Sequence, residues 1–483
     1  MISSVIFITS LKPNGSDMNF VFINPPRKIA ANNIWSIINS DHPPLGIALL
    51  SAIWDAQGHT SQIIDAAALR LRVPEIISRI NPAADYIGLT ATTPEISSAT
   101  AIARGIREKF PDIPIVMGGV HPTVFHEDLV RDKICDMVVR NEGEVFVTEL
   151  AKGTPLHLIP NLTWRNQRGD IIINPDAETY VNLDHLPFPA YEKLPMHLYH
   201  STPGAARREP SIGMVTTRGC PGHCTFCFSG MFGSHVRFMS PSRVIEHIEL
   251  LQKKYGIREI SFYDDTFTAN QKNVTELCRL ILEKKIRLSW SCFARVDSVT
   301  PDLLLLMKQA GCHQIMYGFE TPDETILKNI DKRVTLEQFQ NAITWTRAAK
   351  INIRGAFMLG NPGETKANMQ RTIDYAKNAD IQLAVFNITT PYPGTTMYRD
   401  FQEKKSLLHQ NWDLYNLGEP ILKLDTVSDQ VVKKYYYKSY REFYLRPSFM
   451  LRFIFSIRTL SEFSIYATAA FRILVTLCRR MKQ

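Results

Sequence analysis

Short apolar runs alternate with amphipathic stretches of helical period along most of this chain, and that alternation predicts its architecture. The first clear run is Phe20-Val21-Phe22-Ile23. Others follow at 61–64, 86–89, 113–117 and 137–139, ending at Asp65, Thr90, Gly118-Gly119 and Arg140. Helical stretches lie between them, one opened by Pro43-Pro44-Leu45-Gly46 and another covering 96–109. Strands joined by helices need crossover connections, so residues 1–150 are expected to form a doubly wound parallel sheet of Rossmann or flavodoxin-like type. Six further runs occupy 212–217, 259–263, 289–296, 314–319, 352–359 and 383–388, with helices expected at 241–255, 271–285, 301–310, 335–349 and 365–378. Six βα units imply a partial, TIM-like (β/α)6 barrel over residues 211–395.

The pattern breaks twice. Residues 151–210 are punctuated by eight prolines from Pro155 to Pro210 and read as a linker carrying a small hairpin, 161–165 with 170–173, around Gln167-Arg168-Gly169. Trp164, Tyr180, Tyr191 and His200 in it are expected to pack between domains rather than to face a substrate. Residues 396–483 form an apolar and basic stretch, expected to be a helical C-terminal domain.

Composition adjusts this picture. At 483 residues, with 45% hydrophobic and 21% charged positions, the chain is a folded multidomain protein of α/β class. Cys135, Cys278, Cys292, Cys312 and Cys478 are scattered singly among apolar residues, which fits buried free thiols in a reducing compartment and a cytoplasmic location. The run Val5-Ile6-Phe7-Ile8 has no preceding basic residue, so no signal peptide is read there. The formal charge of +8 sits in the tail: residues 431–483 carry eleven Lys or Arg against Glu442 and Glu462. The rest is close to neutral, and no nucleic-acid partner is expected. Between Phe443 and Leu477, Arg452, Arg458, Glu462 and Arg472 interrupt any membrane-spanning run. Peripheral contact with the inner face of a membrane, or a greasy substrate, is favoured over a plain helical cap.

The chemistry gathers at predicted strand ends, where open parallel sheets bind ligands. In the first domain these are Asn24-Pro25-Pro26, Pro44-Leu45-Gly46, Thr90-Ala91-Thr92, Gly118-Gly119-Val120-His121 and the acids Glu142 and Glu144. In the barrel they are Asp264-Asp265, Arg295, Glu320, Gly360-Asn361-Pro362 and Pro393. After the first barrel strand comes Cys220-Pro221-Gly222-His223-Cys224-Thr225-Phe226-Cys227, a C-x₃-C-x₂-C spacing. Three thiolates leave one iron of a cubane cluster open for a substrate. A zinc site completed by His223 or His235 has the same spacing requirements and stays open at this point, and with it a zinc-stabilised scaffold protein.

These motifs resemble the radical SAM superfamily, in which such a cysteine loop after the first strand of a partial barrel holds a [4Fe-4S] cluster. The loops of the first domain are similar to the cobalamin-binding domain that precedes many radical SAM cores. The resemblance implies that Cys220, Cys224 and Cys227 hold the cluster and that S-adenosylmethionine chelates its fourth iron. It implies Phe226 near the adenine, Asp264 or Asp265 at the methionine ammonium, and Glu320 and Arg295 at the ribose or carboxylate unless they are mouth ion pairs. Gly360, Pro362 and Pro393 would follow the adenosine. Asn24, Pro25, Pro26, Pro44, Leu45, Gly46, Thr90, Thr92, Gly118, Gly119, His121, Glu142 and Glu144 would line cobalamin. Asp41-His42-Pro43-Pro44-Leu45-Gly46 has the wrong register for the axial-histidine motif of other cobalamin proteins. A lower ligand from it is not expected, and His121 is the alternative.

The class implied by the resemblance contains cobalamin-dependent methyltransferases and the anaerobic magnesium-protoporphyrin monomethyl ester cyclase. The expected activity is hydrogen abstraction from an unactivated carbon of an apolar, tetrapyrrole or lipid-like small molecule, followed by methylation. Oxidative cyclisation without methyl transfer is the alternative. A low-potential flavodoxin or ferredoxin would supply electrons under anaerobic conditions.

Overall fold

The computed structural model describes residues 17–27, 42–201, 204–228, 231–447 and 449. The apolar run at 5–8, Asp41, Cys478 and the tail from residue 450 onward lie outside the described residues. The described chain divides into two compact units, one running to Tyr199 and taking in 231–233, the other made of the rest.

In the first unit β1 (Asn19–Asn24), β2 (Thr60–Asp65), β3 (Tyr86–Thr90), β4 (Ile115–Gly118) and β5 (Met137–Val139) are parallel, in the order 2-1-3-4-5. This is the flavodoxin-like winding. Phe20 to Ile23 are all buried because a central parallel strand is covered on both faces. Helix α1 (Leu45–Ala56) lays Trp54 edge-on against Phe20, with ring centres 5.2 Å apart. Helices α2 (Val73–Arg79), α3 (Ile96–Lys109), α4 (Val120–Val124), α5 (His126–Arg131) and α6 (Glu144–Ala151) complete the crossovers.

The hairpin expected in the linker is present, but it is no detached joint. Strands β6 (Leu162–Arg165) and β7 (Ile171–Ile173) add antiparallel to β5 and extend the sheet to seven strands. Trp164 packs against this unit's core and Tyr191 is buried, while Tyr180 is exposed.

In the second unit β8 (Ser211–Met214), β11 (Glu259–Phe262), β12 (Ser289–Ala294), β13 (Cys312–Glu320), β14 (Asn352–Leu359) and β15 (Leu383–Ile388) form one open, all-parallel sheet in sequential order. Its crossover helices are α7 (Pro241–Tyr255), α8 (Gln271–Glu283), α9 (Pro301–Gln309), α10 (Glu324–Asn329), α11 (Leu336–Ala348) and α12 (Lys366–Asn378). Side-chain N-caps at Ser240, Asn270, Thr300, Thr335 and Thr365 fix where five of them begin. The short α10 is an addition to the expected pattern. The first expected strand is split: after β8 the chain turns at Val215-Thr216, and β9 (Thr217–Arg218) pairs antiparallel with β10 (Arg237–Phe238).

Beyond the barrel come α13 (Thr396–Glu403) and α14 (Asp429–Tyr444). An open sheet leaves unpaired backbone on its last strand. Tyr440 Oη accepts from the Phe386 N–H (3.3 Å) and donates to its carbonyl (3.0 Å), and Tyr444 Oη does the same at Ala384 (3.2 and 2.6 Å). Two phenols one helical turn apart thus satisfy alternate residues of β15. No helix among the described residues is long and apolar enough to cross a membrane.

Candidate active site

The predicted ligand loops of the first unit all emerge at the carboxyl ends of β1 to β5. Asn24 donates to Asp65 Oδ1 (2.9 Å), and Tyr199 donates to Asp65 Oδ2 (2.7 Å), so a buried carboxylate braces the ends of β1 and β2. Pro25 and Pro26 follow directly. Gly119 has φ +102°, and a Cβ there would stand 2.8 Å from the Ala91 carbonyl oxygen, so the loops after β3 and β4 touch through backbone. Thr92 caps the short turn after β3, its N–H bonded to Glu95. His121 is buried with Nδ1 3.2 Å from Thr93 Oγ1 and its ring 4.7 Å from that of Phe125. Burial lowers its pKa to about 4, so the imidazole is neutral. Pro44 and Leu45 open α1, Gly46 has no described residue within 4 Å of where a Cβ would be, and Glu142 and Glu144 are buried at the start of α6.

At the carboxyl end of the half-barrel the cysteine loop, residues 219–228, leaves β9, which is held by its pairing with β10. Asp264 sets that base. Its Oδ1 accepts the backbone N–H groups of Thr216 (2.7 Å) and Thr217, and its Oδ2 accepts the Thr216 hydroxyl (3.0 Å). Burial raises this carboxyl to about 6 in spite of those donors. Asp265, by contrast, is exposed.

A Cβ on Gly222 would lie 3.4 Å from Cys220 Sγ, 3.9 Å from Cys224 Sγ and 3.3 Å from Arg295 Nη1, so two thiols and a guanidinium converge on this glycine. The Cys227 N–H bonds the Cys224 carbonyl (3.1 Å), turning the third cysteine back toward the others. Cys227 itself is exposed, and the surrounding protein together with the charges of Asp265, Cys224 and Cys220 holds its thiol above the ordinary value. Loading a metal here therefore displaces protons. Phe226 is half-buried on the same turn.

Glu320 ends β13 at a register shift, with φ +62°. It accepts a 2.9 Å bond from Lys332 Nζ, and both side chains are nearly buried. Burial opposes the Lys332 ammonium, but Glu320 and Cys224 outweigh it and hold its pKa above the ordinary value. Gly318 makes room: a Cβ there would be 2.6 Å from Glu320 Oε1 and 3.0 Å from Lys332 Nζ. Arg295 forks onto Asp297 (3.0 and 2.8 Å) and also reaches the Lys332 carbonyl (3.2 Å). Both residues expected at the ribose or carboxylate thus stand in ion pairs. In the next loop Glu364 folds back on the Gly360 and Asn361 N–H groups (2.5 and 2.9 Å), and Asn329 donates to the Pro362 carbonyl (2.9 Å). Pro393 precedes the cap of α13 at Thr395.

Residues 214–376 match the radical SAM superfamily, and residues 36–151 match the B12 binding domain. An uncharacterized methyltransferase of Pyrococcus horikoshii is 34% identical over 447 residues, 91% of this chain and 95% of its own. This chain belongs to the cobalamin-dependent radical SAM methyltransferase family. The anaerobic magnesium-protoporphyrin IX monomethyl ester cyclase of Rubrivivax gelatinosus is 26% identical over 86% of this chain and 76% of its own. In fold the chain is similar to the cobalamin-dependent S-adenosylmethionine radical enzyme OxsB, with TM-score 0.73 at 15% identity over 96% of this chain and 72% of that one. It is also similar to the radical S-adenosylmethionine methyltransferase TsrM of Kitasatospora setae, with TM-score 0.67 at 16% identity over 90% of each chain.

As a radical SAM enzyme of the cobalamin class, the protein uses S-adenosylmethionine, a [4Fe-4S] cluster and cobalamin. The donor set fits the cluster. Among the described residues no three His, Cys, Asp or Glu gather as a single ion requires. A cubane takes one thiolate at each of three irons and needs no such convergence. The zinc reading gives way to the match of residues 214–376 to the radical SAM superfamily. The first unit fits cobalamin through its strand-end loops, those after β3 and β4 touching through backbone at Gly119. Sequence reasoning missed Lys332, which looked like one more charge in the polar run Asp331-Lys332-Arg333. The only signal was Glu320, a strand-end acid in need of a partner.

Proposed function

We propose that this enzyme methylates an unactivated carbon of a small apolar molecule, lipid-like or tetrapyrrole in character. Hydrogen abstraction would precede methyl transfer. The reading is carried by the three-thiol loop at the half-barrel mouth beside the one mouth aspartate left uncommitted. When bound, the cluster with S-adenosylmethionine supplies an electron and an alkyl radical, and cobalamin supplies a methyl group. The residues orient and shield these groups. Cys220, Cys224 and Cys227 hold the cluster. Of the two aspartates, Asp265 receives the methionine ammonium, because both oxygens of Asp264 already hold backbone and hydroxyl donors. Phe226 lies at the adenine, the Glu320–Lys332 pair and Arg295 at the ribose and carboxylate, and Gly360, Pro362 and Pro393 along the adenosine. The strand-end residues of the first unit, from Asn24 to Glu144, line cobalamin, with His121 as a neutral hydrogen-bonding residue.

On this reading residues 1–150 form the cobalamin domain, 211–395 the core and 396–483 a helical C-terminal domain. A flavodoxin or ferredoxin donor and peripheral membrane contact through the basic tail belong to the same proposal. The test is anaerobic incubation of the reconstituted enzyme with methyl-labelled S-adenosylmethionine and a cell extract. Label in a small molecule is the expected result. Deoxyadenosine formed without labelled product would overturn methyl transfer in favour of cyclisation.

A further inference from the structure

Side chains alternate across a strand, and register decides which of them share a level. Phe357 stacks 5.6 Å from Phe319 and lies 6.4 Å from Tyr375 of α12, so the odd-numbered positions of β14 face the helices. Arg354 therefore faces the concave side. Register carries Phe293, Met316, Arg354 and Leu383 to one level, and continues it through Tyr263 to Val215. All six are at least partly exposed, Val215 by 41%, whereas Met214, Phe262, Cys292, Ile315, Ile353 and Ala384 beside them are buried. The concave level is an open, apolar and aromatic wall with a single charge.

That charge has no counterpart among the described residues. Arg140 and Arg165 of the first unit donate to hydroxyl, carbonyl and carboxylate oxygens. Arg354 makes no hydrogen bond or ion pair with any described residue. The ionisable groups its field visibly reaches are phenols: burial raises Tyr263, Tyr440 and Tyr444, and Arg354 holds each back. A second polar group on this face lacks a partner among the described residues. Asn387, on the concave face of β15 opposite Met358, has its Oδ1 buried and unbonded, an acceptor that calls for a donor on the ligand. Arg354 is half-buried with no anion beside it among the described residues, and a planar carboxylate or phosphate is what a guanidinium fork pairs best.

We propose that this level is the substrate's binding wall and that Arg354 selects a substrate bearing one carboxylate or phosphate on an apolar body. The body lies against Val215, Phe293, Met316 and Leu383, and Asn387 Oδ1 accepts from a donor group of the ligand. Calling the ligand the substrate rests on the methyl-transfer reading. The anion preference itself does not.

The test is equilibrium dialysis of the anaerobic holoenzyme, loaded with cluster and cobalamin, against octanoate, octyl phosphate, octanol and octylammonium. One of the two anions should bind about tenfold more tightly than octanol, with octylammonium weakest; which anion wins separates carboxylate from phosphate. Arg354→Gln should erase the preference and leave octanol affinity within about twofold, and Arg354→Lys should keep part of it. Equal affinities, or a preference that survives Arg354→Gln, would overturn the proposal. So would displacement of the anion by S-adenosylmethionine, which would assign Arg354 to the cofactor. If no methyl label reaches any product while the anion preference holds, methyl transfer is wrong and the binding wall stands.

Discussion

The carboxyl edge of the first sheet and the mouth of the half-barrel are both rows of strand-end loops, yet they are built differently. The first edge uses glycine, proline and touching backbone, its histidine is buried and neutral, and its acid Asp65 and its Arg140 are consumed in bracing the loops. The half-barrel mouth brings three thiols, a buried Lys–Glu pair and a forked Arg–Asp pair into one electrostatic neighbourhood. A large preformed cofactor can be held by shape, whereas thiolates and a charged amino acid need counter-charges within a few ångströms. One edge works by fit, the other by field.

If that division holds, damage to the mouth leaves the first edge intact. Cys220→Ala, Cys224→Ala or Cys227→Ala should each abolish iron and sulfide incorporation and deoxyadenosine formation, while corrinoid still co-purifies in the parent's ratio. Full activity in any one of them would show that the loop does not hold the cluster. Corrinoid lost together with iron would break the comparison itself.

A smaller effect tests the field directly. Lys332→Met leaves Glu320 buried beside the thiols without its partner, a change that typically costs about 3–5 kcal/mol. The double variant Lys332→Met with Glu320→Gln removes both charges and should recover most of that loss in urea unfolding of the second unit. Equal destabilisation by the single and double variants would mean that packing of the lysine stem, and not charge, is what matters there.

Most of this division is legible along the chain. Helix starts could be read because Ser240, Asn270, Thr300, Thr335 and Thr365 are local caps, and strands because β-branched and aromatic runs are bounded by polar strand ends. The cysteine loop was legible because three ligands sit within eight residues. What escaped is what depends on pairing across distance. The hairpin at 162–173 joins the first sheet only because Val139 and Met137 lie opposite Leu162 and Trp164. The first barrel strand breaks at Val215-Thr216, where an acid 48 residues away takes the Thr216 N–H. Lys332 and Arg354 each look like surface charges until register and burial place them.

The smallest effects follow from proton linkage, and here the two units should differ in sign. His121 of the first unit has its folded pKa lowered to about 4 by burial, against about 6.5 when unfolded. Its contribution is complete above the unfolded value and is lost as pH falls from 6.5 toward 4. Asp264 of the second unit is raised by burial to about 6, against about 3.9 unfolded. Its contribution is complete below the unfolded value and is lost as pH rises from 4 toward 6. His121→Gln and Asp264→Asn each remove one titration while keeping a hydrogen-bonding side chain. Acidification from pH 6.5 to 4 should therefore shrink the parent's stability advantage over His121→Gln in the first unit. The same change should shift stability toward the parent, relative to Asp264→Asn, in the second. Each change should amount to about 1–3 kcal/mol. Hydrogen exchange resolved by unit is the measurement, since a chain with two units need not unfold in one step. Shifts of the same sign in both would show that burial of these two groups is not what sets their titration. The contrast between an edge held by fit and a mouth held by field would then rest on the cysteine and lysine results alone.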